Sequence, residues 1–151
     1  MKTVPALGHD QVLAAIDAIR RALQSRGKAA VIAIADSHGE LLALLRMDGA
    51  PLSSVQVASN KAYTAARLSR PTRVLGATLR ERGTDIAFYG DPRYTGFGGG
   101  LPVLIDGTVV GSVALSGLSD AEDEELAALG VAVLQQTEKS AHDGSTKTPP
   151  A

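Results

Sequence analysis

Apolar positions recur at three- and four-residue spacing through Val12, Ala15, Ile16, Ile19, Ala22 and Leu23, and Gly27 follows as a stop. That periodicity predicts an amphipathic helix over residues 9–26. The pattern then changes. Two continuous apolar runs, 29–35 and 40–47, flank Asp36-Ser37-His38-Gly39, residue types that suit a turn. Strands joined so closely pair antiparallel, because a parallel pair needs a long crossover. Helical spacing returns after Gly49 and Pro51, where Val55, Ala58, Ala62 and Ala65 form a stripe of mostly small side chains, and it persists to Leu68. Pro71 breaks that helix and opens a shorter one ending at Gly83.

Residues 84–100 are irregular and Gly-rich, and such a segment in a compact domain more often carries function than not. Asp106-Gly107, between apolar runs at 101–105 and 108–115, is a strong hairpin signature. Ser119 and Glu122 form a capping box for the last helix. Its first turn gathers Asp120, Glu122, Asp123, Glu124 and Glu125 at the positive end of the dipole, and Leu126, Leu129, Val133 and Leu134 supply its apolar face. The chain turns polar beyond this point. One domain over 1–137 and a flexible tail over 138–151 are expected. The order α-β-β-α-α-β-β-α predicts an α+β fold, a mainly antiparallel sheet with helices packed on it.

Composition narrows the function classes. The chain has 151 residues, 44% of them apolar but only 3% aromatic, so Ala, Val, Leu and Ile must fill the interior closely. A net charge of −1 and the lack of any Lys/Arg run speak against nucleic acid or an anionic membrane as the main partner. There is no cysteine, which excludes disulfides, thiolate metal sites and a Cys nucleophile. No apolar run reaches the roughly 18–20 residues of a membrane span, and the first ten residues lack a signal-like stretch, so a cytoplasmic location is expected.

The candidate chemistry is sparse. Arg46 and Asp48 end the second strand, where alternation lets both project to one face. Arg46 can grip a carboxylate bidentately with Asp48 orienting it, or the two can form an ordinary exposed pair. In dry surroundings Asp48 could serve as a general base. Lys61 borders the alanine stripe, three residues before Thr64. It can snorkel to solvent or enter a cleft to meet a ligand carboxylate. Gly98, Gly99 and Gly100, with Gly96 around Phe97, suggest a pocket rim with exposed backbone N–H groups. Tyr94, Tyr89 and Arg93 bracket the same segment as ligand-stacking or structural groups. Asp48 and Lys61 are thus the candidate catalytic residues, and Arg46, Lys61, Thr64, Gly98, Gly99, Gly100 and Tyr94 the candidate ligand contacts. No pair has zinc-site spacing, so no metal is expected. Ser116 in V-A-L-S-G is not a nucleophile elbow.

The ordered motifs carry a resemblance. They run from Ala33-Ile34-Ala35-Asp36-Ser37-His38-Gly39 through Arg46-Met47-Asp48-Gly49, Lys61-Ala62-Tyr63-Thr64-Ala65 and Arg70-Pro71-Thr72 to Gly98-Gly99-Gly100-Leu101-Pro102 and Asp106-Gly107. Individually weak, in this order they resemble the GlcG/HbpS-like family over about residues 8–135. The resemblance implies a profilin-like fold, dimers or larger assemblies, and haem or a related tetrapyrrole as ligand, with Arg46 and Lys61 on propionates. His9, His38, Met47, Tyr63, Tyr89 and Tyr94 are the available axial donors. Some relatives carry an acidic E-x-x-E iron pair. Glu122 and Glu125 have that spacing, although the capping turn explains them structurally.

Three functions follow from this reading. One is a binding protein for haem or another small ligand. The second is a cofactor-independent lyase or isomerase acting on a small carboxylated, aromatic or hydroxylated, substrate. The third is a carrier or assembly module with no chemistry. The first two need Arg46, Lys61 and Gly99 around one hollow.

Overall fold

In the computed structural model, which describes the backbone of residues 1–144 and the side chains of 1–136, the chain follows the expected order. Helix α1 (His9–Ser25) precedes a hairpin of β1 (Val31–Asp36) and β2 (Leu41–Arg46). Helices α2 (Ser54–Leu68) and α3 (Thr72–Arg82) follow, then a short 3-10 turn at Ile86–Tyr89. A second hairpin, β3 (Gly100–Ile105) and β4 (Thr108–Ser116), leads into α4 (Asp120–Gly144). The last helix thus runs past the boundary expected at 137. The remainder of the expected tail, 145–151, lies outside the described residues.

The four strands form one antiparallel sheet in the order β2-β1-β4-β3. The hairpins are joined through their inner strands, where Val31 pairs with Ser116 and Asp36 with Gly111. Strand β1 is buried on both faces, which is why its sequence reads as a continuous run. Its alternation sorts residues by size. Ile32 and Ile34 face α1 and α4 with Ile19, Leu23, Leu115, Leu126 and Leu134, whereas Val31, Ala33 and Ala35 face α2 through Ala58 and Ala62. Three layers result, with the larger core on the α1/α4 side.

The small residues at the α2 interface let the helix backbone approach the sheet closely. The Ser112 hydroxyl in β4 donates to the α2 carbonyl of Ala62 at 2.6 Å. Between α2 and α3 the chain turns at Ser69 (φ 54°), and Pro71 stands immediately before Thr72. The capping serine is in place, with its hydroxyl accepting from the Glu122 N–H at 3.2 Å. Among the described residues no helix is long and apolar enough to cross a membrane.

Candidate functional site

The sheet order decides which candidates meet. Arg46 lies on the β2 edge and Gly100 on the β3 edge, with β1 and β4 between them. Three inter-strand spacings place them roughly 14 Å apart. The expected single hollow shared by Arg46, Lys61 and Gly99 is therefore corrected. Lys61 and Gly99 do meet, but inside the fold, and Arg46 stands apart from them.

Lys61 is 2% exposed and Asp123 1%. The ammonium donates to Asp123 Oδ2 at 3.1 Å and to the Leu115 carbonyl at 2.9 Å. The carboxylate that Lys61 meets is thus the chain's own. Burial raises the Asp123 carboxyl above its ordinary range, against the pull of the Lys61 ammonium and of the Leu118 N–H. Gly99 closes this pair from the third side. Its φ is +122°, and a Cβ there would stand 2.8 Å from Asp123 Cβ and 2.9 Å from both Lys61 Nζ and the Leu115 oxygen.

The rest of the glycine run is equally committed. The Gly98 N–H donates to Asp120 Oδ2 and the Gly100 N–H to Thr72 Oγ1, so these donors are not aimed at a ligand. Gly98, Gly99 and Gly100 are a close-packed seam, whereas Gly96 and Phe97 at the start of the run line an open cleft beside α3.

Thr64 and Tyr94 fasten the irregular segment. The buried Thr64 hydroxyl accepts from the Thr95 N–H at 3.0 Å and donates to the Arg93 carbonyl at 3.4 Å. Tyr94 packs between Tyr63 and Tyr89 with its ring tilted against both, each centroid 5.2 Å away. Tyr63 donates its hydroxyl to Asp91 at 2.6 Å, while the Arg93 guanidinium lies 3.9 Å over its ring. Burial, then that hydrogen bond, pushes the Tyr63 phenol up to about 12, so it stays a donor. Asp91 is held down to about 2, first by the Tyr63 hydroxyl and then by Arg93.

At the β2 end, a hollow of about 500 Å³ is lined by Arg20, Gln24, Lys28, Arg46, Met47 and Asp48, among others. Arg20 pairs with Asp17 and Lys28 with Glu122. Among the described residues, Arg46 has no hydrogen-bond or ion-pair partner and is left free for an anion. The Glu122 and Glu125 carboxylates are taken by Lys28 and Arg26, as the structural reading of that pair expects.

What the hollow offers a haem is the unpaired Arg46 and the thioether of Met47, a side chain that also packs against the α1/α4 core. Of the axial candidates, His9 and His38 are exposed on loops or helix starts, Tyr63 serves Asp91, and Tyr89 and Tyr94 pack against each other as tilted rings. Met47 lines the cationic hollow, pairing a thioether with groups that can hold carboxylates. Among the described residues no three His, Cys, Asp or Glu side chains converge as a metal site.

A family model described as "Haem degrading protein HbpS-like" matches residues 7–132. The chain belongs to the HbpS-like family. Protein GlcG of Escherichia coli K12 is 37% identical over 116 residues, which cover 77% of this chain and 85% of GlcG. A double mutant of HbpS from Streptomyces reticuli superposes with a TM-score of 0.80 at 30% identity, covering 89% of this chain and 90% of that one. A PduOC–haem complex superposes at 0.78 with 26% identity, covering 85% of this chain and 95% of that one. The α+β fold expected from the element order is the one these relatives share.

Sequence reasoning missed the parts played by Asp123, Tyr63 and Asp91. Asp123 had a signal: it precedes Leu126, Ala127, Gly130 and Leu134 at helical spacing, on the face that is buried. The Tyr63–Asp91 bond spans 28 residues and left none.

Proposed function

We propose that this HbpS-like chain binds a haem or related tetrapyrrole at the hollow beside the end of β2. The observation that supports it is the placing of Met47 and the unpaired Arg46 around one cavity, with Lys28 and Arg20 beside them. The PduOC–haem complex, a relative of the same fold, favours the same ligand class. Haem, when bound, supplies an iron centre for redox or oxygen chemistry. The chain's own part is binding. Arg46 holds a carboxylate, Met47 offers a thioether donor, and Leu45 adds apolar surface against the ring. The lyase reading has less support, because Asp48 is exposed rather than in a dry site and Lys61 is committed to Asp123. Self-association is part of the proposal, since the edge strand β2 leaves Leu41 and Leu42 exposed.

Hemin titration followed by the Soret band tests it. Saturable binding at one hemin per chain is expected, with Met47→Leu shifting the band and Arg46→Gln weakening affinity. No saturable spectral change, or variants that bind as the parent does, overturns it.

A further inference from the structure

A second cleft lies on the far side of the fold, between the C-terminal half of α3 and the irregular segment. It has a volume of about 530 Å³, within the range of small-molecule pockets. Its base is a direct backbone contact. A Cβ on Gly76 would stand 2.3 Å from the Gly96 oxygen, and one on Gly96 2.8 Å from Gly76 Cα. Neither position admits a side chain, so the helix and the loop are held against each other and the cleft is pre-formed.

Its walls are of two kinds. Leu79, Ile86 and Phe97 give an apolar surface, and Phe97 is 61% exposed although its N–H is fastened to Thr95 Oγ1. The exposed Phe97 ring therefore stands beside Leu79 and Ile86 as an apolar wall open to a ligand. Arg80, four residues after Gly76 and on the same helix face, brings its Nη1 beside the Gly76–Gly96 contact. Among the described residues its guanidinium has no hydrogen bond or ion pair, whereas Arg20, Arg26, Arg73 and Arg93 all hold carboxylates. Asp85 also lines the cleft. Its Oδ1 caps the following turn by accepting from the Ala87 N–H at 2.9 Å, which leaves Oδ2 as an acceptor.

We infer that this cleft binds a small aromatic monocarboxylate bearing a hydroxyl or amino donor. The carboxylate meets the Arg80 fork, the ring lies against Phe97 and Leu79, and the donor reaches Asp85. A second carboxylate is disfavoured by Asp85, which sets the ligand's charge at one. This site is separate from the hollow at Arg46, because none of its lining residues belongs to that hollow.

The probe is 4-hydroxybenzoate, titrated calorimetrically against the full chain. Saturable binding is expected, weakened about tenfold or more by Arg80→Gln, by Phe97→Ala and by the use of uncharged 4-hydroxybenzamide. Arg82→Gln, which removes a neighbouring arginine outside the cleft, should bind as the parent does. All three side chains are exposed, so circular dichroism should show the variants folded. Hemin binding should be unchanged in Arg80→Gln, so this site and the tetrapyrrole site fail independently. Absence of saturable binding at millimolar probe, equal affinity in Arg80→Gln, or displacement of the probe by stoichiometric hemin overturns the inference.

Discussion

Lys61 Nζ lies 3.1 Å from Asp123 Oδ2, across a contact that ties α2 to α4 beneath the end of β4. Both groups are almost wholly withdrawn from water. Removing one partner strands the other charge, which costs far more than the pair itself contributes. Lys61→Ala and Asp123→Ala should each lose about 3–5 kcal/mol in urea unfolding. A joint Lys61→Met, Asp123→Leu replacement should lose less than the sum of the two single changes. Additive losses would mean that the pair is not coupled. Lys61 is thus a residue whose loss is read in stability rather than in ligand affinity.

Gly99 and Gly107 separate two reasons for a glycine. At Gly107 φ is +76° and an added methyl would meet nothing within 4 Å, so Gly107→Ala should lose only the backbone preference, about 1–2 kcal/mol. At Gly99 the same preference is joined by contacts under 3 Å with Asp123, Leu115 and Lys61. Gly99→Ala should melt well below Gly107→Ala. Equal midpoints would mean that the seam yields without cost.

Acid should loosen the irregular segment before the core. The Asp91 carboxyl titrates near 2 in the folded chain against an ordinary 3.8. Protonating it therefore favours the unfolded state. Its stabilising contribution is present above about pH 4 and fades as pH falls towards 2. Tyr63→Phe removes the largest cause of that depression, so the pH dependence of unfolding between 4 and 2 should flatten. Asp123 acts in the opposite sense. Its raised carboxyl binds a proton more readily in the folded state, so it does not add to the acid loss. Urea midpoints measured across this range, with Asp91→Asn as the reference, check both signs.

The ion pairs joining the end of α1 to the start of α4 should matter little. Glu122 and Glu125 meet Lys28 and Arg26 in partly or fully exposed positions, where screening is strong. Glu122→Gln and Glu125→Gln should each leave the thermal midpoint almost unchanged, and the remaining difference should shrink in high salt. A larger loss would assign these acids a role beyond the helix contact.

Much of the fold was legible because it is local. Asp106-Gly107, Pro71 and the Ser119 cap each act within a few residues, and each stands where its chemistry requires, although the Glu122 carboxylate expected to complete the box turns to Lys28 instead. The alanine stripe of α2 correctly announced a close approach to the sheet. The candidate site was less legible, because Arg46, Lys61 and Gly99 become neighbours or strangers only through the order of the strands. A lysine beside an apolar stripe is compatible with snorkelling or burial, and only the position of Asp123 on another helix decides between them. The Gly-rich segment misled for a related reason. Its glycines answer to crowding by Asp120, Asp123, Lys61 and Thr72, none of which is near in sequence.

The strand order also governs how the molecule can assemble itself. Each hairpin closes through a short turn, yet the seam that unites them brings Val31 against Ser116, near opposite ends of the chain. The rate of folding should be set by the search for that seam, since long loops must close before its contacts reward them. Until it forms, Ile32 and Ile34 lack the cover that β4 and α4 provide, and a nascent chain without its last third would present them to whatever else is nearby.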